Sequence, residues 1–283
     1  MRKRILWIVS ISLLLLTAYE YQPARYYALL CLDKNAEPGG NWNSAYDGYF
    51  LAENGCFYDP AKVAVKEIPA FHLDSTNRDA TPIWYINGAN LRADWVLAQM
   101  YRLAESSGRP VIAIYNSTLG GRFFDAAWDA LQGSVATVSA EKVIIEALAQ
   151  QEDIFFQVNS QGAIHMATVL RNISRQVQAK QLNKIHVLTA GGAAPEFPDG
   201  PGYVHLINKK DPVPSRAGVV SKDAKPGANA ELIHFSAKDS KPMERDFRFV
   251  GPLTRAFLSV HGFMAYQKHF PESFQASRAA KTR

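Results

Sequence analysis

From Lys62 onward the chain alternates short apolar runs with amphipathic stretches, and this alternation restricts the possible folds more than any other feature. Apolar runs at Val63 to Ile68, Ile83 to Ile86, Val111 to Tyr115, Ile154 to Val158, Ile185 to Leu188, Tyr203 to Ile207 and Glu231 to Phe235 read as strands. Helical periodicity falls between or after them, at residues 94–107, 140–150, 161–178 and 253–266. The first of these places Trp95, Leu97, Ala98, Tyr101 and Leu103 near one face, and Gly108-Arg109-Pro110 ends it. Strands that alternate with helices predict an α/β protein with a mainly parallel central sheet flanked by helices. Residues 117–139 and 214–230 read as excursions from that sheet, the first carrying Phe123, Phe124 and Trp128 as pocket walls or core.

The N-terminus follows a different rule. Arg2, Lys3 and Arg4 precede an uncharged, mostly apolar run from Ile5 to Tyr19, which Glu20 ends. Its roughly 15 residues are short for a spanning helix, which needs about 17–25, and suit the apolar core of a signal peptide, about 7–15. Residues 1–20 therefore read as a signal peptide or a membrane anchor, with the basic flank cytoplasmic and the bulk of the chain exported or facing the extracytoplasmic side. Residues 21–60, rich in Gly, Asn and Tyr, read as an irregular connecting segment, 61–272 as one catalytic-sized domain, and 273–283 as a basic tail.

The formal net charge of +5 owes three charges to residues 2–4, and no basic stripe interleaved with aromatics follows, so nucleic acid is not an expected partner. The two cysteines, Cys31 and Cys56, either pair in an oxidising compartment or remain thiols. Neither has metal-ligand spacing, and there is no Gly-rich phosphate or dinucleotide loop, so neither a metal nor a cofactor is expected.

Chemistry concentrates in Ile154-Phe155-Phe156-Gln157-Val158-Asn159-Ser160-Gln161-Gly162-Ala163, a buried strand that runs through a serine directly into a helix. A sharp strand-to-helix turn lifts a serine hydroxyl above the sheet edge, and Gly162 removes a side chain that would strike neighbouring backbone. The helix N-terminus favours negative charge there, and the Gln161 N–H is placed to donate to an oxyanion. A serine before a helix also serves as an N-cap, the simpler role for Ser160.

The segment Asn159-Ser160-Gln161-Gly162 resembles the "H-S-Q-G" nucleophile elbow of α/β-hydrolase-fold lipases and esterases. Asn159 stands in place of His, and Val158 in place of the first Gly of G-x-S-x-G. The resemblance spans about residues 80–270 and rests on four short motifs in order. It implies the chain order Ser, acid, His. Asn208-Lys209-Lys210-Asp211-Pro212-Val213-Pro214 is similar to the family's acid-bearing segment and makes Asp211 the triad acid, against an Asp-Pro turn opener as the plain alternative. His261-Gly262-Phe263-Met264-Ala265-Tyr266 is similar to the closing "H-x-F-x-x-Y" segment, in which the His heads a helix that the aromatics pack down; His261 becomes the base. Asn87-Gly88 resembles the oxyanion loop, so Gly88 or Ala89 would join Gln161 in the oxyanion hole, while Asn87 and Asn116 would line the substrate pocket.

The resemblance thus implies a serine hydrolase that cleaves a carboxylic ester, a lipid or a thioester through an acyl-enzyme. The alternative is a noncatalytic, membrane-tethered binding or scaffold protein on the same fold.

Overall fold

The computed structural model describes residues 37–38, 46–89, 91–118, 134–236 and 252–275. Nine strands form one sheet: β1 (Glu37–Pro38), β2 (Phe50–Leu51), β3 (Cys56–Tyr58), β4 (Ile83–Ile86), β5 (Val111–Ile114), β6 (Ile154–Asn159), β7 (Ile185–Ala190), β8 (Gly202–Asn208) and β9 (Glu231–Phe235). Their spatial order is β1-β3-β2-β5-β4-β6-β7-β8-β9. Strands β4 to β9 pair in parallel, while β1, β3 and β2 pair antiparallel, β2 joining β5 through Phe50↔Ile114 and Leu51↔Ala113. This is a mainly parallel α/β sheet, with a strand-to-helix elbow after the strand β6.

Both faces are covered, which is why the central strands are apolar throughout instead of alternating. On one face Trp84, Ile86, Ile112, Phe156 and Val158 pack under α2 (Val135–Ala149) and α3 (Gly162–Ile173). On the other, Ile83, Tyr85, Val111 and Ala113 lie under α1 (Ala93–Ser107), and Leu188, Ala190, Val204 and Leu206 meet Ala265 and Tyr266 of α7 (Phe263–Gln267). Short helices α4 (Ala179–Leu182) and α5 (Pro212–Arg216) follow α3 and β8, and α6 (Pro252–His261) precedes α7.

Four expectations are corrected. Residues 37–58, read as irregular, supply three short strands that extend the sheet. The stretch 63–68 is no strand; Val65–Glu67 form a single 3-10 turn. Helix α1 buries Val96, Met100, Leu103 and Ala104 at i, i+4, i+7 and i+8, whereas Tyr101 is exposed and Trp95, Leu97 and Ala98 are half-buried. Helix α2 begins at Val135 because Ser134 caps it: its Oγ accepts from Thr137 N at 3.4 Å while Thr137 Oγ1 accepts from Ser134 N at 3.2 Å.

No helix among the described residues is long and apolar enough to cross a membrane. The run Ile5 to Tyr19, Cys31, the aromatics Phe123, Phe124 and Trp128, and the tail beyond residue 275 lie outside the described residues. Cys56 is disulfide-bonded, and the sequence contains one other cysteine, Cys31.

Candidate active site

Several of the residues that the sequence singled out for chemistry sit at the carboxyl edge of the parallel strands, where open α/β sheets form their crevice. Gly88 follows β4, Asn116 follows β5, Ser160 follows β6 and Asp211 follows β8. The elbow is a backbone device. Val158 is still regular strand, paired with Ile86 and Thr189 and fully buried, so a branched side chain fits there. The turn comes at Ser160, whose φ of 51° lies in the left-handed region that non-glycine residues seldom occupy. Strain of this kind costs on the order of 1–3 kcal/mol and must be held by its surroundings. Ser160 N donates to Ala190 O at 3.1 Å, Ser160 O accepts from Ala193 N at 3.0 Å, and Asn159 Nδ2 donates to Ala190 O at 2.8 Å. Gly162 closes the turn: a Cβ on it would stand 2.5 Å from Ile86 O.

Ser160 Oγ is 2.8 Å from His261 Nε2, and His261 Nδ1 is 2.7 Å from Asp211 Oδ2. An ionised carboxylate only accepts, so Nδ1 donates to it, and in a neutral imidazole Nε2 then accepts from the serine hydroxyl. The Asp211 side chain is fully buried and that of His261 is 7% exposed, so the link is shielded from water. Asp211 also caps α5, its Oδ1 accepting from Val213 N at 2.9 Å. The Asp-Pro segment thus opens a turn and directs its other oxygen at the imidazole.

His261 reaches this position because the helix expected over 253–266 breaks. Gly262 N donates to Leu258 O at 2.8 Å, and a Cβ at Gly262 would lie 2.5 Å from that same oxygen, so the chain can turn there only through glycine. Beyond the break Tyr266, almost wholly buried, donates its hydroxyl to Asp211 Oδ2, the oxygen that His261 uses. The sequence marked Tyr266 as a packing aromatic; its bond to Asp211 spans 55 positions and leaves no local trace.

On the opposite side of Ser160, Gly88 lies against the serine, and a Cβ on it would stand 3.0 Å from Ser160 Cβ. Ala89 follows, half-buried. Asn87 and Asn116, expected to line a pocket, are instead wholly buried and hold the ends of β4 and β5 together. Asn116 N donates to Asn87 Oδ1 at 2.9 Å, and Asn87 Nδ2 donates to Asn116 O and Gly88 O, each at 2.8 Å. Asn116 Nδ2 donates to Gln161 Oε1 at 3.1 Å, and Thr118 Oγ1 donates to it at 3.3 Å. Thr118 itself sits at φ 51°, a second left-handed residue that the sequence did not reveal. Gln161 Nε2, facing away from those donors, is buried without a hydrogen-bond partner.

Of the other histidines, His165 on α3 is wholly buried and faces Ser134 Oγ at 3.0 Å, and burial lowers it to about 4. His205 lies between Thr189 Oγ1 at 2.8 Å and Pro226 O at 3.0 Å, and burial also lowers it to about 4. Both are neutral structural groups near pH 7. Among the described residues no cluster of His, Cys, Asp and Glu could hold a metal ion.

No family model and no curated protein sequence matches the chain. Solved structures with similar backbones include a cutinase-like protein from Cryptococcus sp., with 12% identity and a TM-score of 0.36, over 70% of this chain and 94% of that one. A Pyrobaculum calidifontis esterase has 10% identity and a TM-score of 0.39, over 83% and 82%. Likenesses this remote transfer no activity.

Proposed function

We propose that the protein is a serine hydrolase that cleaves a carboxylic ester through an acyl-enzyme, with Ser160 as nucleophile, His261 as general base and Asp211 as the acid that orients it. The observation that carries this reading is the continuous relay from Ser160 Oγ through His261 to Asp211, with contacts of 2.8 and 2.7 Å, aligned with a serine held at positive φ. As Oγ attacks the ester carbon, its proton passes to Nε2, and the carboxylate stabilises the imidazolium that forms. The Gln161 N–H at the head of α3, with an N–H from Gly88 or Ala89, faces the developing oxyanion. Collapse of the tetrahedral species breaks the bond to the alcohol, which leaves with the proton from Nε2. Water, deprotonated by the same nitrogen, then attacks the acyl-enzyme and releases the acid, restoring the hydroxyl on Ser160.

The substrate class is a small-molecule ester, with lipid esters and thioesters included. Export or anchoring through residues 1–20 would place the reaction at or beyond a membrane without determining its chemistry. A noncatalytic binding protein would have no use for a charge-relayed serine, and labelling with a fluorophosphonate separates the two. Full-length protein should label at one site, labelling should vanish in Ser160→Ala, and it should fall steeply in His261→Ala. Folded wild-type protein that does not label would sink the proposal.

A further inference from the structure

The relay ends in an oxygen with two claimants. Asp211 Oδ2 accepts from His261 Nδ1 and from the hydroxyl of Tyr266, while Oδ1 is held by Val213 N. A backbone hydrogen bond from Asn208 also reaches the Tyr266 phenol and opposes the rise that burial and Asp211 cause in it. Space for this contact comes from Gly191 at the end of β7. A Cβ there would lie 2.9 Å from Tyr266 Oη and 3.0 Å from Asp211 Oδ2, and its φ of 59° favours glycine independently. Asn208 makes a further tie, its Nδ2 donating to Val260 O at 2.9 Å, the residue before His261. One buried asparagine thus holds both the phenol and the turn that carries the imidazole.

We propose that Tyr266 is a positioning residue that tunes the base: by donating to Asp211 Oδ2 it shares the carboxylate's charge with His261 and lowers the pH at which the imidazole becomes free to accept the serine proton. This rests on the reading of Ser160, His261 and Asp211 as a catalytic relay. A hydrogen bond to a carboxylate spreads its charge and weakens its hold on a neighbouring cation, so the imidazolium is less stabilised with the phenol in place than without it. Burial, then the charge of Asp211, raises the phenol well above its ordinary value, so Tyr266 stays a donor across the working pH range.

The charged groups on the elements around this carboxylate lie mostly at the surface. On the turn after β8, Lys209 and Lys210 are exposed, as are Arg216 on α5, Glu231 and His234 on β9, and Lys268 after α7. His269 is half-buried but stacks on Phe235 at 3.7 Å, and the ring of Phe235 separates it from Tyr266. On α6 the ring of Phe257 tilts against His261 at 4.8 Å and carries no charge.

The test is the titration of His261 by NMR in full-length wild type and Tyr266→Phe, with the resonance assigned by its loss in His261→Asn. Alongside it runs the pH dependence of fluorophosphonate labelling. In Tyr266→Phe the His261 titration should move up by roughly one pH unit, and the acid limb of the labelling rate should move with it, so labelling slows about fivefold near the old midpoint, about tenfold well below it and far less at high pH. A folded Tyr266→Phe variant whose His261 titrates as in wild type overturns the proposal, since loss of packing alone would not move that titration. Should the Phe variant fail to fold, 3-fluorotyrosine placed at 266 supplies a stronger donor of the same shape, and His261 should then shift down; no shift overturns the proposal equally. Because NMR reads the coupling without turnover, wild type that shows the shift but never labels would defeat the hydrolase reading and leave the Tyr266 coupling standing.

Discussion

Gly162 lies so close to Ile86 that the carbonyl oxygen of Ile86 occupies the place of a side chain, 2.5 Å from where a Cβ would be. The elbow can therefore form only if residue 162 has no side chain. Gly162→Ala should push the first turn of α3 off β4, lowering stability to urea by about 1–3 kcal/mol. Displacing Ser160 from His261 should slow labelling on the order of a hundredfold even in protein that stays folded. Labelling at the wild-type rate would show that the turn has another way to relax.

Asp211→Asn should keep the cap on α5, since an asparagine oxygen can still accept from Val213 N, while losing the charge beside His261. The expected result is near-native circular dichroism with ester turnover reduced about 10³- to 10⁴-fold, because the imidazole can then settle in the wrong tautomer. A loss below tenfold would remove Asp211 from the relay.

Acid should destabilise the fold through two histidines that take no part in the relay. His165 and His205 are lowered by burial to about 4, against 6.5 for the free side chain. Between those values the unfolded chain binds protons that the folded chain refuses, so stability is full above about pH 6.5, falls as pH drops and levels off, for these groups, below about pH 4. Urea midpoints measured across this window should be less steep in pH for His205→Gln, by roughly one proton near pH 5. An unchanged slope would mean that His205 is protonated in the folded state.

On the proposed reading Gln161 combines two roles that mutation can separate. Gln161→Leu keeps the backbone N–H but removes the Oε1 acceptor shared by Asn116 Nδ2 and Thr118 Oγ1. Stability should fall by about 1–3 kcal/mol, and labelling should slow by less than tenfold because the N–H at the serine remains. A larger loss of labelling in folded protein would show that the side chain itself contributes to the site.

Reduction should be felt at the sheet edge, since Cys56 is disulfide-bonded at the start of β3. Dithiothreitol should lower stability by roughly 2–4 kcal/mol without moving Ser160 from His261. Thermal melts and labelling, read on the same sample, would separate the two effects.

The strands β6 to β8 were legible because each is a largely buried run rich in branched and aromatic residues, and such runs announce themselves without their partners. Residues 50–58 were not, because two- and three-residue strands carry no periodicity, and their pairing with β5 matches Phe50 to Ile114, far along the chain. The elbow at Ser160 was readable for the opposite reason, its geometry being made by consecutive residues. Asp211 and His261 could be picked out only through the order of motifs; no spacing rule links them to Ser160. The hydrogen bonds between Asn87 and Asn116 were not legible, because a buried asparagine in a cross-strand staple and one facing a pocket look alike in sequence. Thr118, Gly191 and the phenol of Tyr266 were invisible, since what sets each apart is a backbone angle or a contact made across the fold.

The break at Gly262 has a consequence for synthesis. Ser160 and His261 meet across 101 positions, and His261 arrives on the last helices of the described chain. A nascent chain can assemble its sheet and its elbow while the serine still has no imidazole beside it. On the proposed reading the hydroxyl is armed only when α6 and α7 dock against the end of β8, through Asn208 and Tyr266, so the order in which these elements meet acts as a safety catch on the chemistry.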